Sequence, residues 1–94
     1  MEQKDIKLLF DAGAIKEVFI TRTPLGNGGW SLYVILKTGA ISSLNARDNQ
    51  PREYATVDTV YNVARKIGFR RVSIVETLND GEVVNTVNAQ HLSR

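Results

Sequence analysis

Four cations, Arg65, Lys66, Arg70 and Arg71, fall within seven consecutive residues of this chain. Clustered guanidinium and ammonium groups neutralise phosphates without reading bases, so binding through them would fall steeply with salt and show little sequence preference. Arg47 and Arg52 are expected near the same surface. The cluster also has a purely structural use. Cations at the C-terminus of a helix complement its dipole, and arginines near a strand start keep a surface soluble. Both uses stay open at this level. Trp30 shares an alternating face with Leu32, Val34 and Leu36 and is expected to pack in the core. Tyr33 points the other way and is the better candidate for stacking.

Other constellations carry less chemistry. The loop Gly26-Asn27-Gly28-Gly29 offers backbone amides to an anion. It lacks the spacing of phosphate-binding motifs, has no following Lys-Ser/Thr, and leads into a strand rather than a helix, so it reads as a flexible connection. His91 is the only histidine, and nothing fixes a serine against it as a nucleophilic triad requires. One histidine with dispersed carboxylates gives no metal-ligand spacing. Asp11 and Glu17 bracket one turn, Asp80 and Glu82 another, and all four read as solvated rather than held in the contrasting environments of an acid–base pair. No catalytic residue, metal or cofactor is expected. The chain reads as non-enzymatic, because so small a domain leaves little material for a concave site.

The elements that must position these residues are bounded by length and composition. The 94 residues carry 12 Lys+Arg against 10 Asp+Glu, a formal charge of +2, with 43% hydrophobic residues and no Cys. One domain is expected over 1–94, since a chain this short buries only about three fifths of its unfolded surface. Without Cys there are no disulfides, thiolate metal sites or thiol nucleophiles. No apolar run reaches the roughly 18–20 residues of a membrane span, and the first residues lack signal-peptide character, so a cytoplasmic protein without membrane association is expected.

Apolar spacing over residues 4 to 12 predicts a short amphipathic helix closed by Gly13. Ile15 to Arg22 predicts a strand, the Gly-rich loop follows, and alternation from Trp30 predicts a second strand. Thr38-Gly39 turns the chain into a third, near Ala40 to Ala46, where the three-residue spacing of Ile41 and Leu44 points to a bulge or a short edge strand. After a polar loop, Arg47 to Pro51, Thr56 is the expected N-cap of a helix carrying Val57, Val60, Tyr61, Ala64 and Ile67, ended by Gly68. Phe69 to Leu78 and Glu82 to Val87 form a hairpin about Asn79-Asp80-Gly81, and 88–94 read as a loose tail. The expected class is α+β: a small, mostly antiparallel sheet of about five strands with two helices on one face. A strongly bent sheet with both helices at one end is the alternative.

The run Lys4 to Gly13, the strand Ile15 to Arg22, the Trp30 strand, and Arg52-Glu53-Tyr54-Ala55-Thr56-Val57-Asp58 leading through Ala64-Arg65-Lys66-Ile67-Gly68-Phe69 together resemble small plasmid-encoded partition-associated proteins of the ParC type. Those chains similarly show an N-terminal helix, a strand before a Gly-containing loop and Trp, and an Arg-x-aromatic segment entering a helix that ends in Ile-Gly. The match covers residues 4 to 75. It implies a bacterial accessory protein of plasmid maintenance, acting through contacts with partition components or DNA, and it supplies no catalytic residue. No helix-turn-helix signature accompanies it. Two functional expectations follow. One is an adaptor working through protein partners, forming a homodimer through an exposed strand at Ala40 to Ala46 or Glu82 to Val87. The other is a nucleic-acid-binding protein using the basic cluster and Tyr33.

Overall fold

The computed structural model describes residues 1–24, 26–45, 50–77 and 83–88. The chain runs α1 (Gln3–Asp11), β1 (Ile15–Arg22), β2 (Trp30–Leu36), β3 (Ile41–Ser43), α2 (Val57–Ile67), β4 (Ser73–Thr77) and β5 (Val83–Asn88). Two helices and one sheet make this an α+β fold, as expected.

Local chemistry sets the helix limits. Glu2 and Asp5 form a reciprocal capping box at the start of α1, and Gly13 takes φ +73° after its end, a conformation open to glycine at no Cβ cost. At α2 the Thr56 hydroxyl accepts the Thr59 N–H at 3.2 Å. Asp58 occupies the first turn, Arg65 and Lys66 the last, matching the helix dipole at both ends. Val60, Tyr61, Ala64 and Ile67 form the buried stripe of α2. Ile6 is the fully buried anchor of α1.

The strands are ordered β3-β2-β1-β4-β5. The β1–β2, β2–β3 and β4–β5 pairings are antiparallel, with Ile20 opposite Leu32, Val34 opposite Ser42, and Ser73 opposite Asn88. The β1–β4 pairing is parallel, placing Phe19 beside Ser73 and Ile20 beside Ile74. The sheet is therefore mixed: three of its four pairings are antiparallel, in keeping with the mostly antiparallel sheet expected, and the parallel β1–β4 pairing is the departure from it. Two reversals make β3 run with β1, α2 carries the chain back, and β4 must then run with β1 again. An 11-residue helix is the kind of crossover that parallel neighbours require.

Val18, Ile20, Leu32 and Val34 face the helices and join Ile6, Val60, Tyr61, Ala64, Ile67, Phe69 and Val72 in one core. Trp30 and Leu36, expected on that face, pack half-buried against it. On the opposite face Phe19 and Tyr33 stack with ring centroids 5.4 Å apart and planes 12° from parallel. Ser31, on that face by alternation, is nonetheless fully buried. Its hydroxyl meets Thr23 Oγ1 at 2.6 Å and donates to the Arg52 carbonyl at 2.9 Å.

The third strand ends early. Ser42, opposite Val34, and Leu44, whose N–H still donates to the Leu32 carbonyl at 2.9 Å, share the core face, while Ile41, opposite Ile35, lies on the other face and stays 62% exposed at the sheet edge. The spacing of three between Ile41 and Leu44 thus reflects two apolar residues on opposite faces of a short edge strand, with no bulge in its register. Asn88, expected in a loose tail, is paired in β5. Residues 89–94, including His91, lie outside the described residues, as do Arg47 and the turn Asn79-Asp80-Gly81. Among the described residues, no helix is long and apolar enough to cross a membrane.

Candidate anion-binding cleft

The parallel pairing has a direct chemical result. Because β4 opens beside Phe19, the residues just before it, Phe69 to Arg71, meet the first residues of β1. They line a shallow, largely open cleft of about 340 Å³ whose floor is Phe10, Ile15, Val18 and Phe69, and whose rim carries Lys16, Arg70 and Arg71. Glu17 forms part of one wall. The floor is packed: Phe10 at the end of α1 meets Phe69 edge-on, with centroids 4.7 Å apart and an interplanar angle of 67°, a favoured aromatic geometry. Gly68 makes this approach possible. A Cβ there would lie 2.7 Å from Phe10 Cε2, and its backbone φ is +128°.

Lys16, Glu17, Arg70 and Arg71 are all exposed. Three cations against one carboxylate give the rim a positive field that anions feel within about a Debye length, ~8–10 Å at ordinary ionic strength. The helix-dipole role foreseen for the basic cluster fits Arg65 and Lys66, which sit in the last turn of α2. Arg65 also donates to the Tyr61 hydroxyl at 3.3 Å. Neither Arg65 nor Lys66 lines the cleft. The four clustered cations thus divide into a capping pair and a cleft pair.

The remaining expected site residues lie elsewhere. Arg52 stands at the opposite end of α2, its guanidinium 5.7 Å from the Tyr54 ring centre. Eleven residues of helix separate the two ends by about 16 Å at 1.5 Å per residue. Tyr33 lies on the helix-free face against Phe19, away from the cations. Burial pushes its hydroxyl above the ordinary tyrosine value. Burial also raises Tyr54, partly offset by the Arg52 charge beside it.

A second cluster was not foreseen. The glycine loop does hold an anion, but an internal one. Glu53 Oε2 accepts the N–H of Asn27 at 2.8 Å and of Gly29 at 2.6 Å. Arg22 closes the loop from the other side, donating to the Gly28 carbonyl at 2.6 Å while its guanidinium lies 4.1 Å from the Trp30 ring centre. Trp30 and Tyr54 exchange backbone hydrogen bonds, each 2.8 Å, which hold Glu53 in place. The loop amides are thereby satisfied within the chain, so a phosphate role for this loop has no donors left at Asn27 and Gly29.

Lys16 and Glu53 are the residues sequence reasoning missed. Lys16 reads as an ordinary outward position of a strand until the parallel neighbour is known. Glu53 lies 24 positions from Gly29, and no local pattern joins them. Among the described residues no group of three His, Cys, Asp or Glu side chains gathers as a metal site. The chemistry available in the cleft is multidentate charge and hydrogen-bond donation over an apolar floor, suited to holding an anionic group. Comparison with family models, curated proteins and solved structures finds no match for this chain.

Proposed function

We propose that the chain is a non-enzymatic adaptor of plasmid maintenance, of the ParC-type class it resembles, which docks a protein partner at the Lys16–Arg70–Arg71 rim. The observation that carries this reading is the convergence of those three cations from two separate segments around one cleft. Capping a helix requires cations near its last turn. It does not require a lysine from the start of β1 to join them. Exposed arginines over a packed aromatic floor are the composition found at the energetic centres of protein interfaces. Self-association in this reading runs along β5, because Met1 already lies on the outer edge of β3. The Met1 amine donates to the Ser43 carbonyl at 3.1 Å, and Asn45 donates to the Met1 carbonyl at 2.7 Å.

The test is the retention of a plasmid carrying the coding sequence in dividing cells without selection. Arg70→Glu/Arg71→Glu is expected to lower retention while the purified variant keeps the circular dichroism of the parent. Unchanged retention with a folded variant would remove the cleft from the account.

The exposed cations of the rim also favour a second reading, direct contact with DNA phosphates. Anisotropy with a mixed duplex pool at low and physiological salt decides it. Binding that falls steeply with salt and vanishes in the double variant supports phosphate contacts. No binding at low salt excludes them.

A further inference from the structure

We infer that the cleft receives an acidic peptide segment of the partner protein, one that presents a single large apolar side chain between carboxylates. This inference rests on the adaptor reading and names what the same site recognises. Three features of the cleft lead to it.

The first is the floor. Phe10, Ile15, Val18 and Phe69 give the bottom of the cleft an apolar lining, which a phosphate backbone has nothing to fill. A side chain such as phenylalanine or leucine does. The volume, about 340 Å³, stands at the small end of ligand sites, about 300–1,000 Å³, and suits one large side chain with its flanking backbone.

The second is the rim. Arg71 carries a planar fork that matches carboxylates, Arg70 adds its charge beside it, and Lys16 brings an ammonium from the neighbouring strand. Carboxylates on both sides of the anchored residue can therefore be met from β1 and from the α2–β4 connection at once.

The third is Glu17. Glu17 is among the residues lining the cleft, and its negative charge opposes a ligand that carries charge at every unit, as nucleic acid does. A peptide can set its uncharged anchor there and keep its acidic residues at the cationic rim. Glu17 thus works as a selectivity element, disfavouring uniform polyanions more than a mixed acidic-apolar sequence.

The experiment uses the full chain and a fluorescein-labelled peptide of glutamates around a central phenylalanine, with a second peptide in which serine replaces that phenylalanine. Anisotropy is expected to show the phenylalanine peptide binding about tenfold more tightly than the serine peptide, the scale set by burying one large apolar group. Arg71→Glu should weaken it about tenfold, and Glu17→Gln should strengthen it about threefold, both on the scale of rim charges. The Glu17→Gln gain is decisive because misfolding cannot produce it. Gly68→Ala, which pushes Phe10 out of the floor, should erase the preference for phenylalanine.

Equal binding of the two peptides overturns the inference. So does absence of peptide binding in a protein whose plasmid retention depends on Arg70 and Arg71, and in that case the adaptor reading survives alone. If neither peptide binding nor retention depends on these residues, both fall. Duplex DNA that displaces the phenylalanine peptide and binds more tightly than it does assigns the cleft to nucleic acid instead.

Discussion

Glu53 Oε2 sits 2.6 Å from the backbone nitrogen of Gly29, joining residues 24 positions apart. The same oxygen accepts from Asn27 at 2.8 Å, so one carboxylate orders a loop whose sequence reads as flexible. Gly29 is required for this contact. A Cβ at that position would lie 2.6 Å from both Glu53 Oε2 and the Tyr54 carbonyl.

Gly29→Ala is therefore expected to destabilise the fold by about 1–3 kcal/mol, the usual range for forcing an extra carbon into a packed site. Glu53→Ala should cost about 1–2 kcal/mol through its lost charge-assisted hydrogen bonds. The double variant should cost less than the sum, since removing Glu53 relieves part of the clash. Urea denaturation of the three variants checks this.

The two faces of β1 should respond differently. Ile20 is fully buried, and Ile20→Ala should cost about 2–5 kcal/mol. Phe19 and Tyr33 face away from the helices and stack on each other. A double-mutant cycle on this pair should give a coupling of about 0.5–1.5 kcal/mol, the range for stacked aromatic pairs. Equilibrium denaturation measures both.

At the ends of α2, Thr56→Ala removes the hydroxyl that accepts the Thr59 N–H and should cost about 1 kcal/mol. Gly68→Ala introduces a side chain at φ +128° and against Phe10, and should lower thermal stability more than the cap substitution does. Thermal melts of the two variants rank them.

Tyr33 and Tyr54 both ionise above the ordinary tyrosine value of 10.0 because burial disfavours the phenolate. Their folded values exceed their unfolded ones, so the associated stability is fully present below about pH 10 and is lost as pH rises through the folded values. An ultraviolet titration should show late-ionising tyrosine in the native protein that titrates normally in urea. Tyr33→Phe and Tyr54→Phe should each remove part of the late phase.

Much of the fold is legible locally. The bounds of β1, the start of β2, the Thr56 cap and the Gly68 stop all follow from residue type and spacing, because each depends on chemistry within a few positions. The parallel neighbour of β1 does not. Hairpin signals describe adjacent segments, whereas β1 and β4 are joined by everything between Arg22 and Ser73. The candidate site inherits this limit. Arg70 and Arg71 stand out as cations in sequence, but Lys16 becomes their neighbour only through the β1–β4 register. The apolar floor is equally hidden, since Phe10 and Phe69 meet from different helices' ends. Tyr33 and Arg52 fail to join the cleft for a matching reason: proximity in the chain says nothing about which sheet face or helix end a side chain occupies.

The central claim is that Lys16 shares a binding surface with Arg70 and Arg71. Plasmid retention measured with Lys16→Glu tests it most directly, since nothing in the sequence alone singles out that residue. Retention should fall to the level of Arg71→Glu while circular dichroism shows an intact fold. A folded Lys16→Glu protein that leaves plasmid retention at the parent's level would contradict the proposed adaptor reading.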